Sequence, residues 1–149
     1  MYKIKYIDHN NIMLTHFVIY GLLGILMEVF WTGINSLISG NFNLVGKSSI
    51  WMFFIYGSAV FLEPIHDKLR RKNIIVRGLV WVILIYTIEF ISGFLLDKLI
   101  GSCPWDYKSS TKYTIKGYIR FDYIPAWFAV GLIFEKIHDF LDKKFVGLD

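Results

Sequence analysis

The sequence predicts an all-α, polytopic membrane protein built as a four-transmembrane-helix bundle, and three observations predict it. Of its 149 residues, 55% are hydrophobic and 18% aromatic, with a mean hydropathy of +0.49, more apolar than a soluble domain of this length carries. The apolar residues gather into four long runs, near the ~20 residues that a helix needs to cross the hydrocarbon core. Lysine and arginine cluster beside those runs and account for the net charge of +4, a distribution that suits anionic headgroups and sets topology rather than marking a nucleic-acid surface.

The first run extends roughly over 12–38, the second over 48–65, the third over 75–100 and the fourth over 124–141. The first is long, contains Glu28 and lacks the small-residue cleavage pattern of a signal peptide, so it reads as a retained span. Between the second and third lies Asp67-Lys68-Leu69-Arg70-Arg71-Lys72-Asn73, with Arg77 just beyond, the densest basic cluster in the chain. Positive residues favour the cytoplasmic side, which places this loop and both termini (Lys3, Lys5, Lys143, Lys144) in the cytoplasm. No soluble-type stretch rivals the runs in length, so residues 1–149 read as a single membrane domain. Cys103 is the only cysteine and excludes an intrachain disulfide.

The connection over 101–123 is the longest and interleaves charge with Trp105, Tyr107, Tyr113, Tyr118, Phe121 and Tyr123. Trp and Tyr favour the headgroup level, so this loop is expected to lie on the membrane or dip between helices. Ser109, Ser110, Thr111 and Thr114, leading to Gly117, are compatible with a short hairpin.

Each span carries one glutamate: Glu28, Glu63, Glu89 and Glu135. A charged carboxylate at the bilayer centre costs about 2.5–3.5 kcal/mol on insertion scales, so such residues face the protein interior and mark a pathway or site. At three- and four-residue spacing, Gly21, Gly24, Glu28, Thr32 and Asn35 share one face of the first span. Gly78, Tyr86, Glu89 and Gly93 do so in the third, and Trp127, Gly131, Glu135 and His138 in the fourth. Small residues let helices approach in lipid, which makes these the packing faces. Glu28 and Glu89 fall near mid-membrane and Glu135 nearer the cytoplasm, with Glu63, His66, His138 and Asp139 beyond it. On the far side Asp106 lies within Pro104-Trp105-Asp106-Tyr107. A polar track from Asp106 through Glu28 and Glu89 towards Glu135 and His138 is the expectation that follows.

The segments GILMEVFWT (24–32), SIWMFFIYGSAVF (49–61), YTIEFISG (86–93), CPWDY (103–107) and YIPAWFAVGLIFEK (123–136) resemble, in order, the transmembrane protein 229 family. They are similar also to bacterial proteins named putative ABC-transporter type IV, or CmpB-like permeases, and the resemblance covers about residues 17–140. It implies a four-span, permease-like protein. In the bacterial members an arginine directly follows a glycine downstream of Trp-Asp-Tyr, whereas here Arg120 comes three residues after Gly117. The chain has no Gly-x-x-x-x-Gly-Lys-Ser/Thr loop, so an ABC reading requires a separate ATPase subunit.

The substrate-binding candidates are therefore Glu28, Glu89, Glu135, Asp106, Trp105 and Tyr107. The reading is a small multi-pass, permease-like protein whose intramembrane glutamates handle a proton, a cation or a cationic or lipid substrate group. Two other classes stay open: an intramembrane enzyme acting on a lipid or isoprenoid headgroup, with Asp106, Glu89 and Glu28 as acid–base residues, and a non-catalytic accessory subunit. Glu135/His138 and Glu63/His66 repeat the i, i+3 spacing of di-metal bundles, but the set is incomplete and no metal is assigned. No catalytic residue and no cofactor is assigned. Trp105-Asp106-Tyr107 also suits interfacial anchoring with the aspartate capping a turn, and His16 reads as interfacial. The expected partners are membrane lipids and either further copies of the chain or a partner membrane subunit, with no nucleic acid.

Overall fold

The computed structural model describes residues 9–108 and 111–146. Lys3 and Lys5, and Ser109 and Ser110 of the expected hairpin, lie outside these. The described chain consists of helices α1 (His9–Ile38), α2 (Ile50–Gly57), α3 (Glu63–Leu69), α4 (Ile74–Ile100) and α5 (Ile124–Leu141), with one hairpin between α4 and α5. Two of these helices are long and apolar enough to cross a membrane, Asn10–Ile38 with a mean hydropathy of 1.9 and Ile74–Ile100 with 2.2. The chain divides into two compact units, residues 1–64 with 141–149, and residues 65–140.

In the first unit α1 packs along α2. The approach is so close that a Cβ on Gly24 would lie 2.1 Å from the Tyr56 ring, so only glycine fits there. α1 ends where Gly40 turns left-handed (φ +83°) and the Gly40 and Asn41 amides close back onto the carbonyls of Leu37 and Ser36. The following loop is tied back to α1 by the Lys47 amide, which donates to Thr32 Oγ1 at 2.7 Å. Ser49 then caps α2 by accepting from the Trp51 amide. A 3₁₀ stretch over Ser58–Leu62 separates α2 from α3, whose second residue is Pro64. A first-turn proline costs no helical hydrogen bond. The apolar run read as one span from the sequence is thus interrupted, because the helix tightens at Gly57-Ser58.

In the second unit Asn73 caps α4 by accepting from the Val76 amide at 2.9 Å, and Gly101 (φ +76°) ends it. α4 meets α5 through two glycines. A Cβ on Gly78 would lie 2.1 Å from the Phe128 ring, and one on Gly131 2.2 Å from Trp81 Cβ. Strands β1 (Thr114–Ile115) and β2 (Ile119–Arg120) pair antiparallel, Thr114 with Arg120 and Ile115 with Ile119. Lys116 and Gly117, both at positive φ, make the turn. Trp81, Val82, Leu96, Tyr118, Ile119 and Trp127 are buried.

Large apolar side chains point outward from both long helices. On α1, Leu14, Val18, Leu22, Leu26 and Phe30 form an exposed stripe at four-residue spacing, and on α4 Ile75, Leu79, Ile83, Ile91, Leu95 and Leu99 form another. A soluble monomer rarely shows continuous apolar patches of this extent.

Candidate functional site

The polar groups gather around Glu135 in the second unit. Its carboxylate is 1% exposed, and a buried charge needs partners to offset its lost hydration. Arg77 supplies them from the first turns of α4: Nε donates to Oε2 at 3.0 Å and lies 3.1 Å from Oε1, and a terminal guanidinium nitrogen also donates to Oε2. One turn further along α4 the Trp81 indole donates to Oε1 at 2.8 Å. The i, i+4 spacing of Arg77 and Trp81 puts both on one helix face. On α5 Gly131 stands one turn before Glu135 and makes room for the Trp81 ring, so a missing side chain on one helix positions the donor for an acid on the same helix.

From Glu135 the polar groups continue through α3. His66, 2% exposed, holds Nδ1 3.5 Å from Glu135 Oε1 and Nε2 2.9 Å from Asp139 Oδ1. Asp139 also accepts from Arg70 at 2.6 Å, and Arg70 pairs with Asp67 at 3.0 Å; Asp139 and Arg70 are 38% and 43% exposed. His138 lies edge-on to His66, with ring centroids 5.3 Å apart, and stacks on Phe134. The arrangement is a line of ionisable groups that starts at a fully buried carboxylate and ends at half-exposed charges.

The other sequence-derived candidates fall in both units. Glu28 belongs to the first unit and accepts from the Tyr56 hydroxyl at 2.9 Å. Glu89 lies three turns along α4 from Arg77, half-buried between Tyr86 and Gly93. Those two flanking residues hold the hairpin: the Tyr86 hydroxyl donates to the Arg120 carbonyl at 2.8 Å, and Gly93 faces the Tyr118 ring. Trp105 donates from its indole to the Tyr118 carbonyl at 2.9 Å, and the Tyr107 amide donates to the Gly117 carbonyl at 3.0 Å. Asp106, exposed, accepts from the Lys108 amide at 2.8 Å and caps a turn. In this arrangement Trp-Asp-Tyr joins the α4 exit to the hairpin.

Arg120 completes that loop. Its guanidinium sits 4.1 Å from the Tyr123 ring centroid and 5.5 Å from that of Tyr107, within cation–π range of both. It also forms a two-nitrogen pair with Asp122. That hydrogen-bonded guanidinium holds the Asp122 carboxyl below its ordinary range. Asp97 accepts from the Tyr118 hydroxyl at 2.7 Å, which with burial pushes that phenol up to about 12.

Several of these residues escaped the sequence reading. In the sequence Arg77 reads as an extension of the basic loop, whereas it sits on the first turn of α4 and reaches the buried Glu135. His16 was expected at an interface. It is instead fully buried, with Nδ1 2.8 Å from Glu63 Oε1, which also accepts from Tyr20 at 2.7 Å. His16 and Tyr20 share a face because they are four residues apart, a spacing that could have flagged them. His66 and Asp139 stand out in the sequence beside the buried acids and Trp81 does not, and the meeting of all three depends on how α3, α4 and α5 pack.

A family model described as Putative ABC-transporter type IV matches residues 15–148. No solved structure matches the chain.

Proposed function

Because the chain belongs to the Putative ABC-transporter type IV family, we propose that it is a small multi-pass, permease-like membrane protein whose buried acids handle a proton or a cationic substrate group. The transport-related family and the two long apolar helices support the membrane setting, and their exposed apolar stripes suit contact with lipid tails. In this reading all four apolar runs cross the membrane as one domain, with the 70–73 loop and both termini cytoplasmic and the aromatic loop on the far side. Kinship with the transmembrane protein 229 family is part of the same proposal.

The observation that carries the functional part is Glu28. It lies within a 29-residue apolar helix and accepts from a tyrosine hydroxyl at 2.9 Å. A mid-membrane acid that only fixed helix register would be an expensive device, given the insertion cost of a carboxylate. Glu28, Glu89 and Glu135 are then groups that a proton or cation meets in transit. Trp105, Asp106 and Tyr107 shape the far-side loop around it. Helices this few enclose little space, so the pathway needs further copies or a partner membrane subunit, and an ATP-driven version needs a separate ATPase.

Reconstitution into liposomes that enclose a pH-sensitive dye tests this. The wild type is expected to dissipate an imposed pH or cation gradient faster than empty vesicles, and Glu28→Gln to abolish the difference without loss of helical content. Equal rates in wild-type and empty vesicles under every gradient imposed would overturn the proposal in favour of an accessory role.

A further inference from the structure

The buried His66 ring has a carboxylate oxygen near each of its nitrogens. Asp139 is paired with Arg70 and is therefore an acceptor, so the His66 nitrogen 2.9 Å away, Nε2, carries hydrogen. In a neutral imidazole the opposite nitrogen, Nδ1, is then a bare lone pair. Nδ1 is buried with no hydrogen-bond partner among the described residues, and the nearest ionised oxygen, Glu135 Oε1, stands 3.5 Å off. Two acceptors thus face each other across a gap slightly too long for a hydrogen bond. Against His66 stand Glu135, Asp139 and His138 of α5. Asp139 is itself paired with Arg70, which also pairs with Asp67, and Glu135 is paired with Arg77.

We propose that His66 is a proton-binding site: Nδ1 takes up one proton from the aqueous side near Asp139 and Arg70 and donates it in a hydrogen bond to Glu135. One N–H bond forms as one O–H bond of a hydronium ion breaks to leave water, and the ring gains one positive charge. Two carboxylates then grip the imidazolium, one on each nitrogen. The same Oε1 already accepts from Trp81 and from Arg77 Nε, so the indole registers the event as a further donor arrives on its acceptor. This deepens the proton-handling reading and rests on it only for what the proton then serves.

The test uses the full chain in lipid nanodiscs, labelled with ¹⁵N, with the imidazole of His66 and the indole N–H of Trp81 followed over roughly pH 5 to 8, where histidine switches. The expected result is that both resonances move with one shared midpoint, and that Asp139→Asn weakens proton binding roughly tenfold by removing an adjacent opposite charge. In His66→Gln the Trp81 indole is expected to stay still across the same range. A Trp81 resonance that is flat in the wild type while His66 titrates would overturn the proposal, as would an imidazole that stays neutral throughout. The wild-type titration stands alone if a variant does not fold. Loss of flux with this titration intact counts against the transport reading and leaves the site; flux without the titration does the reverse.

Discussion

Replacing Arg77 with Gln is expected to destabilise the protein by stranding the buried Glu135 carboxylate. Glu135 is 1% exposed and its two oxygens receive donors from Arg77 and Trp81, so the substitution leaves a carboxylate buried with one strong donor. Breaking a buried pair in this way costs about 3–5 kcal/mol. Here Arg77 is itself 22% exposed, so water screens part of the pair, and Trp81 still donates; we therefore expect about 2–3 kcal/mol. The partner change, Glu135→Gln, removes the charge and leaves a guanidinium that can turn to water, at about 1 kcal/mol. The double variant should lie within about 1 kcal/mol of Glu135→Gln, because the penalty in Arg77→Gln is the stranded charge and that charge is then gone. Unfolding in mixed micelles, followed by tryptophan fluorescence, gives all four free energies. Costs that simply add, or an Arg77→Gln loss below about 0.5 kcal/mol, would refute the claim that Glu135 is held as a buried anion by Arg77.

Other changes have defined outcomes. Gly131→Ala puts a Cβ 2.2 Å from Trp81 Cβ and should cost about 1–3 kcal/mol by overpacking, with a shifted Trp81 emission that a surface Lys136→Ala change does not produce. Tyr56→Phe removes the one hydroxyl seen donating to Glu28 and should cost about 1–2 kcal/mol in the same unfolding measurement, the penalty for a part-buried acceptor that loses a donor. Spectrophotometric titration of the wild type beside Asp97→Asn should find the Tyr118 phenol ionising near 12, against about 10 for an ordinary phenol, and returned towards that value in the variant. Since the folded phenol is the weaker acid, this contact stabilises below the ordinary range and is lost as pH climbs to about 12. The Asp122 contact has the opposite sign. Its carboxyl is depressed by Arg120, so the hairpin gains from it above the ordinary carboxylate range and loses it as pH falls through the depressed value, which the Arg120 Nε–H resonance will report.

The helices were legible because apolar length is a local signal. The run read over 75–100 became α4 at Ile74–Ile100, with Asn73 and Gly101 as its ends, and that over 124–141 became α5 at Ile124–Leu141. The small-residue stripes also carried over, since Gly24, Gly78 and Gly131 each receive an aromatic ring. The break at Ser58–Leu62 was not legible, because a tightening of the helix leaves the apolar pattern unchanged. For the candidate site, the acids could be listed but not their partners. Glu135 stands out in any hydropathy trace; that it meets Arg77, Trp81 and His66 depends on helix rotation, to which composition is blind. Trp105-Asp106-Tyr107 could be singled out as a motif, while Arg120, which lies against Tyr107 and Tyr123, sits thirteen residues later in a strand whose register only the hairpin fixes.

The account depends most on the chain crossing the membrane with its acids inside, and side-specific labelling addresses that directly. In a Cys103→Ser background, single cysteines replace Tyr113, 71% exposed in the aromatic loop, and Arg71, in the exposed basic loop. Sealed, oriented vesicles are treated with a membrane-impermeant maleimide before and after permeabilisation. The account predicts that Tyr113→Cys reacts from outside at once and Arg71→Cys only after permeabilisation. Labelling of both positions from the same side would mean that α4 does not span the membrane, and would contradict it.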